Sequence, residues 1–285
     1  MIRKTWFITG CSKGFGRLIA EELLHNSEDN IVATARDPSS LADLQAKYAD
    51  RLLALKLDVT YEDEIKASVQ QAIKRFGKID VLINNAGYGL GGVIEECSME
   101  DIKSQFETNV FGLIAVTKAV IPHMRENKSG YIINLSSIAG LVASAGAGIY
   151  NSTKFAVEGI SEALSMELAE FNIKVVIVEP GPFRTDFLGD SIRISKQMDE
   201  YNQNEAVSRR RNYYAHRHQQ QAGDPAKAAK IIISLGNMEN PPTRLILGNS
   251  SVDIARDKFT SLLKSIDENE SLSRSADYDE FIKQN

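Results

Sequence analysis

The chain has 285 residues, 43% of them hydrophobic and 25% charged, with a formal net charge of −5. That length can bury one large core, and the acidic balance argues against nucleic acid as the main partner. The two cysteines, Cys11 and Cys97, are too few for a disulfide framework and fit a reducing cytoplasm, and no run approaches the ~20 apolar residues that cross a bilayer.

The opening "MIRKTWFITG" is a short apolar run that turns into glycine, the pattern of a buried strand rather than of a signal peptide. From there short apolar runs alternate with longer segments of period near 3.6. Strands are expected at 5–9, 31–35, 52–57, 81–84, 131–135, 174–179 and 245–248. Most are continuously apolar, as strands are when helices cover both faces of a parallel sheet. Helical stripes run through Leu18, Ile19 and Leu23, then Leu41, Leu44 and Tyr48, then Ile65, Val69, Ala72, Ile73 and Phe76. "SMED" at 98–101 reads as a capping box, with Ser98 capping and Asp101 reaching back. A long helix spans about 109–124, and another carries Val157, Ile160, Leu164 and Leu168. In "GDPAKAAKIIISLG", Asp224 is the expected cap and Pro225 the first helical residue. Repeated strand–helix units imply an α/β doubly wound Rossmann fold, with a central, mainly parallel seven-stranded sheet. One domain over 1–285 is expected, with no internal linker. A polar, irregular stretch at about 182–222 follows a strand and reads as a substrate lid. An extension begins near 251, and its acidic end beyond about 266 reads as a loosely held tail.

"TGCSKGFG", residues 9–16, joins the first strand to the first helix. Gly10, Gly14 and Gly16 permit a tight turn and let backbone approach a pyrophosphate at a helix N-terminus, with Ser12, Lys13 and Phe15 between them. The second strand ends "ATARDP", where a carboxylate would bind the ribose hydroxyls of NAD and a cation would attract the extra phosphate of NADP. Arg36 stands there, with Lys13 as a second positive charge, so NADP(H) is expected over NAD(H), which remains possible. Asp37 follows directly. Asp58 and Val59, after the third strand, are placed to meet the adenine, although Asp58 serves equally well as a cap for "TYEDE".

"YNSTK" at 150–154 puts a phenol and an ammonium one helical turn apart. Alone, such a pair is most often surface decoration. Together with "TGCSKGFG", "NNAG" at 84–87, "SS" at 136–137 and "PGPFRT" at 180–185, in that order, it resembles a classical short-chain dehydrogenase/reductase over about residues 4–250. "VATARDP" and the long loop after the sixth strand are similar to the branch of hydroxysteroid, retinol dehydrogenase-like and carbonyl reductase-like enzymes. The resemblance implies a catalytic tetrad of Asn109, Ser137, Tyr150 and Lys154, Ser136 being the less favoured serine. It places Asn85, Ala86 and Gly87 on the adenosine side. Pro180, Gly181, Phe183 and Thr185 fall beside the nicotinamide, and Tyr150 and Lys154 also touch the cofactor. Phe183 departs from the smaller aliphatic residue common in the family and would narrow the pocket. A homodimer or homotetramer is implied, built through the helix of Tyr150.

The implied activity is NADP-dependent hydride transfer between the nicotinamide and a carbonyl or secondary alcohol, with Tyr150 as general acid and base. Moving a phenol from about 10 to near 7 takes roughly 4 kcal/mol. One ammonium at ~4 Å supplies about that at an effective dielectric of ~20, so Lys154 together with the positive nicotinamide ring of the oxidised cofactor is sufficient. Asn109 would anchor a water that relays protons to Lys154. The alternative is a catalytically inactive NADP(H)-binding regulator, and a sugar-epimerase-type enzyme is disfavoured by the loop spacing. "RRRNYYAHRH" at 209–218 mixes basic and aromatic residues, but is short and lies in the proposed lid, so a solvated helix in a mobile loop is expected there, with a substrate-facing Tyr213 or Tyr214 as the open alternative. Its H-x-H lacks partners, so no metal is expected. Cys11 reads as a packing residue and Cys97 as a buried loop thiol.

Overall fold

The computed structural model describes residues 3–278 and 281. Its first half alternates β1 (Thr5–Ile8), α1 (Gly14–Asn26), β2 (Asn30–Ala35), α2 (Ala42–Lys47), β3 (Leu52–Lys56), α3 (Glu62–Phe76) and β4 (Val81–Asn84). There follow β5 (Gly89–Gly91), α4 (Met99–Phe106), α5 (Gly112–Glu126), β6 (Gly130–Leu135), α6 (Gly148–Glu167) and β7 (Ile173–Pro180). The last part holds β8 (Ile192–Ile194), α7 (Glu205–His216), α8 (Pro225–Leu235), β9 (Arg244–Leu247) and α9 (Asn249–Arg274).

Seven strands form one parallel sheet in the order β3-β2-β1-β4-β6-β7-β9. All seven coincide with the apolar runs expected from the sequence, to within a residue or two at their ends. The order reverses direction between β1 and β4, and ligands of open α/β sheets bind at such a switch point, beyond the carboxyl ends of the strands.

Side chains of β1 alternate across the sheet, as a period of two requires. Trp6 and Ile8 join Ile19, Leu23, Ala228 and Ile232, contributed by α1 and α8, on one face. Phe7 points the other way, into Ile65, Val69, Val116 and Val120 of α3 and α5. Asp224 caps α8 by accepting from the backbone N–H groups of Ala226 and Lys227, with Pro225 at the first position. Ser98 likewise caps α4, accepting from the Asp101 N–H. Asp101 reaches back to the Ser98 hydroxyl.

Three features depart from the sequence expectation. The stretch 182–222 is not irregular: it contains β8 and α7. β8 pairs in parallel with β5, Gly89 to Ile192 and Gly91 to Ile194. A Cβ on Gly91 would come within 2.6 Å of the Tyr214 ring, so this small sheet closes only around glycine. Three-residue strands carry too little periodicity to announce themselves. The acidic end beyond 266 continues as helix to Arg274, with Lys264–Glu268 and Glu270–Arg274 pairs one turn apart and its side chains exposed. The long middle helix opens as one π-helical turn, Glu107–Phe111. No helix among the described residues is long and apolar enough to cross a membrane.

Candidate active site

Three loops meet at the switch point. Gly10 and Gly14 adopt positive φ, +72° and +61°, a conformation that glycine adopts without strain. A Cβ on Gly16 would lie 2.4 Å from the Gly10 carbonyl oxygen and 2.6 Å from the Asn85 amide nitrogen. Asn85 Nδ2 donates to the carbonyls of Thr9 and Gly10, at 2.8 and 2.9 Å. Thr9 Oγ1 accepts from the N–H groups of Asn85 and Ala86 in return. Lys13 opens α1 in extended conformation without a side-chain cap, and the first turn holds no acidic residue. By contrast, Glu62, Asp63 and Glu64 crowd the first turn of α3. The N–H groups at the start of α1 therefore face no internal carboxylate, the arrangement that suits a phosphate.

The remaining cofactor candidates lie around this turn. Ser12 is exposed and Phe15 packs edge-on against Phe183, ring centroids 5.4 Å apart. Arg36 is exposed at the end of β2, while Asp37 turns away to cap the next turn through the Ser39 N–H. Lys13 Nζ lies 3.4 Å from Asp190, itself exposed. Asp58 is occupied by the Thr60 N–H and hydroxyl, so its carboxylate caps a turn. Val59 packs under Gly112. Thr185 comes within van der Waals reach of Gly14, 3.9 Å from a Cβ built there. The Gly181 N–H donates to Leu247 O at 2.9 Å, and Pro180 O accepts from Ser137 Oγ at 3.3 Å. Phe183 lies between Phe15 and Gly223, where a Cβ would strike its ring; it fills a gap between loops.

Tyr150 stands in the first turn of α6. Its ring leans on Phe187, centroids 5.4 Å apart, and Lys154 Nζ lies 6.0 Å from the ring centre. Burial pushes the phenol up to about 12, and the neighbouring Ser137 hydroxyl offsets part of that. Burial pulls the Lys154 ammonium down to about 8, against the attraction of Glu158. Its Nζ donates to Leu135 O at 2.7 Å. Within the chain alone desolvation dominates at the phenol, which keeps its proton.

Asn109, delivered by the π turn, is engaged through its side chain. Its Oδ1 accepts from the Tyr88 N–H at 3.0 Å, and its Nδ2 donates to Tyr88 O and Thr153 Oγ1 at 2.9 and 3.2 Å. It pins the 85–88 loop against α6. Gly87 lets the two approach, since a Cβ there would sit 3.1 Å from Asn109 Oδ1.

A buried acidic pair behind Lys154 escaped the sequence reading. Glu158 and Glu162 continue the stripe of Tyr150 and Lys154 along α6, while Glu179 projects from β7. Arg244 on β9 reaches Glu158 and Glu179, each at 3.0 Å, and Glu162 at 2.6 Å. Desolvation first, and the facing Glu158 second, push Glu179 up to about 8. Glu158 is raised by burial as well. The i, i+4, i+8 spacing was visible in the sequence, but nothing there told which glutamates the sheet would bury.

The stretch 209–218 is helical through His216, as expected, but only one side of it is solvated. With its other side α7 turns Arg210, Arg211 and Tyr214 onto a cavity of about 250 Å³. Cys11 is fully buried with its thiol pushed up to about 12, and Cys97 shares a contact with the Ser195 hydroxyl. Among the described residues no group of three His, Cys, Asp or Glu side chains is placed to hold a metal ion.

The family model for short chain dehydrogenase matches residues 4–194, and the chain belongs to that family. Oxidoreductase BOA17 of Botryotinia fuckeliana (strain B05.10) is 37% identical over 270 residues, which cover 93% of this chain and 96% of that one. The crystal structure of a short-chain dehydrogenase from Streptomyces avermitilis superposes with a TM-score of 0.90 at 40% identity, covering 97% of this chain and 100% of its own. ElxO, solved with NADP bound, gives a TM-score of 0.73 at 27% identity over 88% of this chain and 100% of its own.

The buried pair has a measurable consequence. Because Glu179 rises from an ordinary value near 4.5 to about 8, the native chain binds more protons than the unfolded chain between those values. Stability from this site therefore falls as pH rises through the window. Glu179→Gln removes that slope. In thermal melts the melting temperature of the variant, relative to the wild type, should climb steadily from pH 5 to pH 8; a constant difference would show that Glu179 is ionised throughout.

Proposed function

We propose that the protein is an NADP(H)-dependent oxidoreductase that interconverts a small carbonyl compound and its alcohol. The observation that carries this reading is the convergence of the Tyr150 phenol, the Ser137 hydroxyl and Lys154 beside the glycine turn at the switch point. The turn fits a dinucleotide: its backbone needs glycine at the close approaches, and the start of α1 is left uncapped.

When bound, the nicotinamide supplies the hydride in reduction and accepts it in oxidation. The chain's residues do the rest. Ser137 Oγ and Tyr150 Oη hold the carbonyl oxygen and stabilise the negative charge that develops on it. Tyr150, protonated at neutral pH, gives its proton to that oxygen as the carbon–hydrogen bond forms, completing the alcohol. The phenolate left behind faces the Lys154 ammonium, which stabilises it until a proton returns from solvent. In oxidation the same groups work in reverse, with Tyr150 as base. Lys154 would also hold the ribose hydroxyls of a bound cofactor, and Asn109 positions both the 85–88 loop and α6. Glu158, Glu179 and Arg244 keep the base of α6 fixed.

Preference for NADP(H) over NAD(H) follows from charge. Arg36 is exposed where an adenosine 2′-phosphate would sit, Asp37 is committed to a turn, and Lys13 carries a second cation. ElxO, a relative of the same fold, binds NADP. The stretch 182–222 acts as the substrate lid, tied to the body by the β5–β8 pair. The exposed Phe111, Phe155 and Met166 on α6 and the turn before α5 suit a homo-oligomer built through these helices. A regulator without catalysis is the poorer reading, since cofactor binding alone does not require the phenol, hydroxyl and ammonium together.

Two variants test the assignment. Tyr150→Phe should lower turnover by about 10²–10⁴-fold across a panel of ketones and aldehydes, while NADPH affinity changes little; undiminished turnover would remove Tyr150 from the mechanism. Arg36→Asp should shift the NADPH-to-NADH ratio of kcat/KM toward NADH by tenfold or more, roughly the loss of one charge-assisted contact. An unchanged ratio would reject Arg36 as the phosphate contact.

A further inference from the structure

The cavity beside Tyr150 is lined largely by apolar groups, among them Val93, Leu188, Ile192 and Val207. Its wall connects to the phenol through adjacent residues: the Phe187 ring leans at 53° on Tyr150, and the next residue, Leu188, lines the cavity. Tyr214 crosses it, donating its hydroxyl to Gly146 O at 3.3 Å, two residues before α6 begins. Two arginines of α7 also face this space, and they differ in one respect. Arg211 is paired with Glu96, a carboxylate with almost no exposed surface, so their charges cancel. Arg210 forms no ion pair with any carboxylate among the described residues.

Arg210 is nevertheless held in place. Its Nη2 donates to Ser144 Oγ at 2.6 Å, and its guanidinium lies 5.5 and 5.7 Å from the ring centres of Tyr213 and Tyr214. Its stem passes over Gly146, where a Cβ would come within 3.1 Å of Arg210 Cγ. Gly146 has φ +71°, so the loop leading to α6 is shaped to leave room for this side chain. A half-buried, immobilised cation on an apolar wall, with most of its donors unused, calls for an anion from outside the chain.

Resting on the reading of this site as a carbonyl reductase, we propose that the substrate is an oxo-carboxylate whose carboxylate pairs with Arg210 while its carbonyl faces Tyr150. One negative charge balances one guanidinium; a phosphate dianion would leave an uncompensated charge on an apolar wall. A cavity of about 250 Å³ equals roughly eight water molecules in volume, which suits a short chain or single ring between the two polar ends. Specificity then comes from α7, a part of the lid, rather than from the residues that perform the chemistry.

The test compares oxo-carboxylates of roughly four to eight carbons with their methyl esters, matched in chain, on the NADPH-loaded protein at pH 7. Calorimetry reads binding and NADPH absorbance reads turnover. The best acid should bind at least about tenfold more tightly than its ester, the ratio expected for a charged hydrogen bond. Arg210→Ala should erase that ratio, Arg210→Lys should retain part of it, and Arg210→Glu should invert it, with folding of each variant checked by its melting curve. Equal binding of acid and ester by the wild type overturns the proposal without any variant. So does a wild-type preference that persists in Arg210→Ala, or tighter binding of the matched alkyl phosphate. Reduction of esters without preference for acids would leave the reductase reading standing and sink this one; tighter binding of acids with no NADPH oxidation by either would overturn both, because an oxo-carboxylate substrate requires the reductase.

Discussion

The site depends on how closely the loop after β1 approaches the loop after β4. Two adjacent parallel strands send their chains to opposite faces of the sheet, and the gap between them is closed by two short polar side chains that bond directly to the facing backbone. The Asn85 amide closes it by donating to Thr9 O and Gly10 O, and Thr9 Oγ1 returns the contact by accepting two N–H groups. Gly16 is packed so tightly against this junction that even one methyl group has no room. With the junction set, the start of α1 points its unpaired N–H groups into the crevice. Thr185 is brought up to the same turn from the end of β7, and Asn109 steadies the following residues of the β4 loop.

Burial governs the electrostatics of α6. Tyr150, Lys154 and Glu158 lie on one stripe of the helix, and each is driven by desolvation toward its neutral form. The phenol therefore keeps its proton at neutral pH in the chain's own field, the state that the proposed reduction needs. Lys154 sits near its midpoint at mildly alkaline pH, so a modest change in its surroundings changes its charge. Arg244 gathers Glu158, Glu162 and Glu179 at the far end of the stripe and limits the cost of holding these carboxyls inside. The same helix thus anchors the sheet at one end and carries Tyr150 and Lys154, the side chains of the proposed chemistry, at the other.

Much of this was legible in the residues. The seven strands were visible because continuous runs such as Val81–Asn84 and Ile173–Pro180 are buried on both faces, which leaves an unambiguous apolar signal. Asp224 and Ser98 announced their helices because a cap is a local contact. The glycine turn and the Tyr150–Lys154 pair were legible as motifs. What stayed hidden depends on distant partners. Glu158 looked like any helix-surface glutamate until β7 and β9 covered it, and Asn109 acquired its backbone partners only when the 85–88 loop folded over the π turn. Arg210 and Tyr214 read as a solvated basic–aromatic run because nothing local shows that the β5–β8 pair draws α7 over the crevice. Asp58 has a local partner as well: one of its carboxylate oxygens accepts from the Thr60 N–H and hydroxyl.

The central claim is that the Gly10–Asn85 junction shapes a dinucleotide cradle. It is tested most directly by calorimetric titration of NADPH into the wild type and into Gly16→Ala, with a melting curve for each. The wild type should bind one equivalent saturably. The alanine variant, still folding cooperatively, should lose most of its affinity, because a methyl group would force the junction apart. A folded Gly16→Ala chain that binds NADPH as tightly as the wild type would contradict the account.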